Sequence, residues 1–351
     1  MPASSIYDLS IIATTRNDNH GGDMLQRTLL FVKGLLYQTR KYKIKSELIL
    51  VEWNPPDDKP LLKEVLPQPK SGDFLSIRYI IVPASVHTKY QHADKIPLFQ
   101  MIAKNVGIRR AKGRFILCTN VDLLFSDKLM QELANRSLQP GTFYRCNRAD
   151  VPQSIPYEKS IPELLAFCRR HILQRLGKHT YISLIAERAY AVFMYTLGLL
   201  FPWWKEAGLG RQPNARGIKM KLIRLDTDAC GDFTLMSRED WMDIEGYAEL
   251  EAYSIHLDSL ALLVATALGK KQHTFPPSAC TYHISHEDGW ELAHPIKKLY
   301  QDIERPMLDW STVRRAGVYL LENQKKLGIN APNWGLADHE FEEFSFTPLN
   351  N

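Results

Sequence analysis

The residues best placed to do chemistry close the segment KNVGIRRAKGRFILCTNVD, which runs from Lys104 to Asp122. Val106, Ile108 and Ala111 give its opening residues a single apolar helical side, and Gly113 can take the positive φ that ends a helix. Phe115 to Cys118 is apolar without alternation, as a strand covered on both faces requires. Helix, stop, buried strand and polar end, in that order, put Asn120 and Asp122 at the carboxyl edge of an α/β sheet. Open sheets of this kind bind ligands at that edge. A carboxylate delivered there by a rigid strand can hold a metal ion against a diphosphate.

Such a sheet must come from the rest of the first half, and the pattern supplies it. DLSIIATTR reads as a strand from Leu9 to about Thr15, and a helix follows with Asp23 as N-cap and Leu25, Leu29, Val32 and Leu36 on one side. SELILVEW is a second strand, stopped by Asn54-Pro55-Pro56; a Pro-rich loop to Pro69 leads into a third, IRYIIVP. Pro97 can open the next helix as its first residue. Strand–helix alternation over about a hundred residues predicts a doubly wound, mainly parallel sheet.

Composition bounds the function. The 351 residues suffice for one large α/β domain or two small ones, and 45% apolar with 24% charged residues is ordinary for a globular protein. A net charge of +5 suits phosphate-bearing small molecules or an anionic membrane surface and is too weak to argue for nucleic acid. The cysteines Cys118, Cys146, Cys168, Cys230 and Cys280 are odd in number and form no C-x-x-C pair, which points to buried thiols in a reducing compartment. No basic segment followed by a long apolar stretch opens the chain, so no signal peptide is expected and the cytoplasm is the expected location.

The Lys104–Asp122 segment resembles the metal-binding Asp-x-Asp region of GT-A glycosyltransferases, particularly the inverting family 2 and its relatives. Asn105, Gly107, Ala111 and Gly113 match that family's N-x-G-x-x-x-A-x-G helix, and Asn120 stands where the family has its first acid. Asp122 matches the second acid, the one most often on the metal. The resemblance implies a GT-A fold carrying a helical insertion, a nucleotide-diphosphate sugar as donor, and Mn²⁺ or Mg²⁺ as cofactor. It also implies donor contacts at Thr14 and Arg16 in the loop after the first strand, at Glu52 closing the second, and at Asn105, Arg109, Asn120 and Asp122. Glu52 would accept a hydrogen bond from the base, or is a solvated strand end. Arg109 would pair with phosphate through its planar fork, or belongs with Arg110 to an exposed helical face. Further along, Arg145, Arg148 and Asp150 in GTFYRCNRADVP would serve a phosphate or sugar acid, or form a salt bridge pinning an edge strand.

A second cluster, from Cys230 to Lys271, resembles the acceptor half of the same enzymes. Gly231, Arg238, Trp241, Gly246, Tyr247 and Glu249 follow the family order, and Asp232, Trp241 and Glu249 are expected at the acceptor. Leu257, Leu260, Ala261, Val264 and Leu268 then form a helical stripe ended by Gly269, with Asp258 in the first turn beside it. The family's Asp at this place is a general base in its inverting members; here His256 and Leu257 precede it, so the paired-acid form is absent. The helix dipole and free N–H groups favour an ionised carboxylate there, ready to take a proton from an acceptor hydroxyl. The alternative is that Asp258 only caps its helix. In CTYHISHEDGWE, His283 and His286 fall where such enzymes supply a further metal ligand, with His286 the leading candidate; a hydrogen-bonded core corner is the other reading. Imidazole with carboxylate suits Mn²⁺ better than an all-oxygen set does.

Between the two clusters the texture changes. Residues 189–204, AYAVFMYTLGLLFPWW, carry no charge over a length short of the roughly twenty residues that span a bilayer. They read as a buried core helix pair, an interfacial helix at the inner face of the membrane, or a contact in a homo-oligomer. The expected organisation is 1–150 for the nucleotide-sugar half, 151–222 for the helical insertion, 223–300 for the acceptor half, and 301–351 for a helical segment and acidic tail. The whole reads as a metal-assisted transferase moving a sugar from a nucleotide-diphosphate donor to a hydroxyl of a glycan or lipid-linked acceptor, inverting, with Asp258 as base. The rival is a non-catalytic nucleotide- or glycan-binding protein with a decayed site. A nucleotidyltransferase of the same fold needs a Gly-rich GxGxRLxP loop after its first strand, which ATTRNDNHGGD does not supply.

Overall fold

The computed structural model describes residues 6–19, 21–177, 221–222, 224–286 and 306–348. In chain order the first elements are β1 (Tyr7–Thr15), α1 (Met24–Tyr42), β2 (Ser46–Trp53), α2 (Leu62–Val65), β3 (Leu75–Val82), α3 (Ala84–His87), α4 (Gln100–Arg110) and β4 (Gly113–Thr119). There follow β5 (Leu123–Phe125), α5 (Asp127–Ala134), β6 (Thr142–Arg145), β7 (Asn147–Val151), α6 (Ile161–Arg170) and β8 (Gln174–Leu176). The last are β9 (Phe233–Ser237), α7 (Arg238–Asp243), α8 (Leu257–Ala267), β10 (Lys271–Thr274), β11 (Cys280–Ile284), α9 (Trp310–Asn323) and β12 (Glu342–Phe346).

The large sheet has the order β10-β6-β9-β4-β1-β2-β3-β12, and only β9 and β12 run against the rest. This is a mixed α/β, mostly parallel, Rossmann-like arrangement. The chain steps outward from β1 to β2 and β3, then returns to lay β4 on the other side of β1. The carboxyl ends of β1 and β4 therefore flank a topological switch point, where sheets of this class open a crevice. Thr119 ends β4, and Asn120 to Asp122 follow directly into that crevice.

Burial on both faces explains the uniform apolarity of the strands. Leu48 and Leu50 of β2 pack with Phe31, Val32 and Leu35 of α1, whereas Ile49 and Val51 pack with Ile102 and Val106 of α4. Gly107 lets α4 lie close to the sheet: a Cβ there would come within 2.5 Å of Ile12 Cγ2. A smaller sheet, β5-β11-β7-β8, stands beside the crevice, with Ala149, Val151, Tyr282 and Ile284 on its apolar side against Leu164 and Leu165 of α6.

Several local expectations are corrected. The helix expected from Pro97 begins at Gln100. Gly113 does not end a helix: α4 stops at Arg110 with Ala111 extended, and Gly113 opens β4, where a Cβ would meet Ser10 N at 2.5 Å. Asp23 occupies the N-cap position of α1 in a left-handed conformation and makes no side-chain cap. Arg145 and Arg148 sit on different strands in different sheets, because the chain breaks at Cys146. The acidic tail contains β12, an antiparallel strand on the edge of the large sheet beside β3. Arg78 holds it there, donating to buried Glu47 at 3.0 Å and to Glu343 at 2.9 Å. Within the expected helical insertion, α6 is followed by a strand, β8; residues 178–220, with the apolar run 189–204, lie outside the described residues. Among the described residues, no helix is long and apolar enough to cross a membrane.

Candidate functional site: a carboxylate and two histidines at the switch point

The site forms where the two sheets meet. β5 continues from Asp122 and pairs antiparallel with β11, so His283 lies opposite Leu123, and the Ile284 amide donates to the Asp122 carbonyl at 3.0 Å. His283 is thus a strand residue, and His286 follows just past the strand's end. Their side chains converge on Asp122 Oδ2, which stands 3.1 Å from His286 Nε2 and 3.5 Å from His283 Nε2. The other oxygen, Asp122 Oδ1, is buried and has no hydrogen-bond partner among the described residues.

Electrostatics binds the three together. Burial opposes charge on Asp122, but the His283 charge and hydrogen bonds from both histidines outweigh it and hold the carboxyl well below the usual range. Burial likewise pulls the His283 imidazole down, yet the Asp122 carboxylate and a second acid, Asp150, push it up to about 9. A proton therefore occupies the pair, and imidazole ligates a metal only once that proton has left.

Three of these groups place ligand atoms within 4.8 Å of one another. Ligands on bonds of about 2.1 Å lie about 3.0–3.4 Å apart, and the two carboxylate–imidazole distances, 3.1 and 3.5 Å, are close to that. The orphaned buried Oδ1 and the mixed imidazole–carboxylate donors point the same way. The loop after β1 closes over this cluster. Gly21, at φ +65°, lies against His286, where a Cβ would meet Nδ1 at 2.7 Å; Arg27 fastens the loop by donating to the Gly21 and Gly22 carbonyls.

Asn120 belongs to a neighbouring network. Its Oδ1 accepts from Gln100 Nε2 at 2.8 Å and Lys104 Nζ at 3.0 Å, and its Nδ2 donates to Asp232 Oδ1 at 2.7 Å. Asp232 Oδ2 in turn accepts from Arg148 at 3.2 Å, which links this network to Asp150. Lys104 is fully buried, and burial lowers its pKa against the pull of Asp232 and Asp258. Its ammonium also donates to the Gly231 carbonyl at 2.8 Å. Asp258 completes the wall: it sits in the first turn of α8, takes the Ser259 amide on Oδ1 at 2.8 Å, and turns Oδ2 toward Gly231, where a Cβ would lie 3.0 Å away.

Other expected contacts are placed elsewhere. Thr14 and Arg16 do lie at the carboxyl end of β1; Arg16 pairs with Asp18 at 3.3 Å and donates to the Pro97 carbonyl. Glu52 is fully buried and accepts the Leu62 amide at 3.0 Å, so it is no solvated strand end; burial raises it to about 7. Asn105 clamps the Tyr247 backbone through both amide atoms, each at 2.8 Å. Arg109 lies in the last turn of α4, next to the start of β4, whereas Asp122 lies past that strand's other end. There it stacks on Trp334 at 4.5 Å and donates to the Pro332 carbonyl. Trp241, expected at the acceptor, is a core residue donating to the Ile116 carbonyl at 3.0 Å, and Glu249 is spent on Asn105 and the Gly335 amide. Lys104 escaped the sequence reading; its only signal was a charged residue on the apolar helix α4.

No protein-family model matches the sequence, and no curated protein matches it. Among solved structures, the crystal structure of S. aureus TarS is similar over 79% of this chain and 37% of that one, at 13% identity and a TM-score of 0.39. This chain thus spans little more than a third of that structure's length.

Proposed function

We propose that the protein is a metal-assisted glycosyltransferase that moves a sugar from a nucleotide-diphosphate donor to a hydroxyl acceptor. The observation that carries this reading is the convergence of Asp122, His283 and His286 at the switch-point crevice. When bound, a divalent cation there supplies positive charge against a leaving diphosphate. Two imidazoles and one carboxylate favour Mn²⁺ or a similar transition ion over Mg²⁺. Asp122, His283 and His286 hold the ion; Thr14 and Arg16 border the donor side.

Asp258 acts as general base in this proposal. Its carboxylate takes the proton of the acceptor hydroxyl as that oxygen bonds to the anomeric carbon, while the bond from that carbon to the diphosphate oxygen breaks and the nucleoside diphosphate departs. Attack from the face opposite the leaving group inverts the anomeric centre. Asp232, on the wall between Asn120 and Arg148, lies on the acceptor side. The acceptor is a glycan or a lipid-linked saccharide.

The test is a panel of nucleotide sugars incubated with Mn²⁺ and, separately, with a chelator. Metal-dependent release of nucleoside diphosphate from one donor supports the reading, and no turnover of any donor contradicts it. A second reading, a nucleotide- or glycan-binding protein without turnover, draws on Asn120, whose amide is consumed by Gln100, Lys104 and Asp232 and offers nothing to a metal. Tight nucleotide binding without turnover would favour it.

A further inference from the structure

The smaller sheet carries a row of side chains that ends on the metal cluster. The antiparallel register of β7 with β8 sets Gln174 opposite Asp150, and the parallel register of β7 with β11 sets Asp150 beside His283. Registered neighbours share a face of a sheet, so the three side chains stand side by side. They are bonded in sequence. Gln174 Nε2 donates to Asp150 Oδ2 at 2.6 Å, and Asp150 Oδ1 lies 3.1 Å from His283 Nδ1. Arg148, two residues before Asp150 on the same strand face, adds a bond to Oδ1 at 2.5 Å.

We propose that Asp150 is the positioning residue for His283, keeping the proton on Nδ1 so that Nε2 is the nitrogen presented beside Asp122. The inference rests on the metal reading above and adds the residue that orients one of its ligands. Imidazole has two nitrogens, and which one meets a metal is set by the bond the other makes. A carboxylate accepting from Nδ1–H fixes both the tautomer and the ring plane. Asp150 is itself fixed, with Gln174 on one oxygen and Arg148 on the other, and both Asp150 and His283 are buried. Neutralising Arg148 does not require Asp150, since Arg148 also pairs with Asp232 at 3.2 Å. A carboxylate held by Gln174 and Arg148 with Oδ1 turned to Nδ1 suits orientation of the ring.

The experiment measures Mn²⁺ affinity by calorimetry for the wild type, Asp150→Ala, Asp150→Asn, His283→Ala and the Asp150→Ala/His283→Ala double variant. Asp150→Ala should weaken binding about 10–100-fold, and Asp150→Asn, which keeps an acceptor for Nδ1–H, should lose less. In the His283→Ala background the same Asp150→Ala change should add no more than about twofold, because a residue that acts through His283 then has nothing to orient, whereas an independent site would keep its full effect. Wild-type affinity in Asp150→Ala, or an undiminished loss in the His283→Ala background, overturns the inference while leaving the metal reading intact. A wild type that binds no divalent ion overturns both, and the wild-type arm alone reveals it. Should Asp150→Ala not fold, the wild type loaded with Zn²⁺ decides: ¹H–¹⁵N correlation should show the His283 proton on Nδ1 and the metal on Nε2. Ligation through Nδ1 overturns the inference.

Discussion

Asp122 Oδ2 and His286 Nε2 stand 3.1 Å apart although 164 residues separate them in the chain. The contact is a consequence of sheet register. β4 ends at the switch point, β5 carries the chain onward from Asp122, and β11 returns alongside β5 to bring both histidines to that carboxylate. Neither segment can form the cluster alone, so its assembly reports directly on whether β11 has paired with β5.

Asp258→Asn is expected to separate catalysis from stability. The amide keeps the size and an oxygen for the Ser259 amide, but it cannot take a proton. Folding and donor binding should survive while sugar transfer falls about 10²–10⁴-fold, the usual weight of a general base. A lowered melting temperature with normal transfer by the folded fraction would make Asp258 a cap alone.

Glu52 gives a pH dependence with a definite sign. Burial raises its pKa from the usual 4.5 to about 7 in the folded chain. The native state therefore holds a proton that the unfolded state has lost between those values. Stability contributed by the protonated form is complete below pH 4.5 and declines as pH rises to about 7. The full difference is on the order of 3 kcal/mol. Glu52→Gln, which retains an acceptor for the Leu62 amide, should remove this decline. Urea unfolding at about pH 5 and about pH 8, on either side of the raised value, should show the variant gaining on the wild type at the higher pH. Parallel pH profiles would contradict the assignment.

Arg109→Ala and Asn105→Ala should act on the fold and leave the donor site alone. Arg109 stacks on Trp334, a contact worth about 0.5–1 kcal/mol at an exposed site. Asn105→Ala strands the buried Tyr247 amide and should cost about 1–3 kcal/mol. Both variants should lower the melting temperature with nucleotide affinity unchanged. A selective loss of nucleotide affinity in Arg109→Ala would return that side chain to a phosphate.

Much of the frame was legible from residue pattern. The continuous apolarity of Leu48–Val51 and Phe115–Cys118 identified strands buried on both faces, and the acid after the second of these located the crevice edge. Tertiary register was not legible. Nothing local distinguishes an Arg148–Asp150 salt bridge that stands alone from one whose acid also meets a histidine on another strand. Arg109 misled because its chemistry suits phosphate, whereas it lies by the start of β4 and is engaged by Trp334 and the Pro332 carbonyl. Gly113 misled for a similar reason: close approach of Ser10, and no helix end, is what excludes a side chain there. The tail read only as acidic, because the pairing of β12 with β3 draws on Arg78 and Glu343, far apart in sequence.

The most direct measurement is Mn²⁺-dependent binding of UDP, GDP and dTDP to the wild type, Asp122→Ala and Asn120→Ala. Asp122 is the carboxylate both histidines face, so its removal should abolish the metal-dependent component of binding. Asn120 contributes hydrogen bonds to Lys104, Gln100 and Asp232, so its removal should only weaken binding, by about 0.5–1.5 kcal/mol per bond lost. Nucleotide binding by the wild type that is indifferent to Mn²⁺, or small and equal effects of the two substitutions, would contradict a metal-assisted nucleotide site at Asp122.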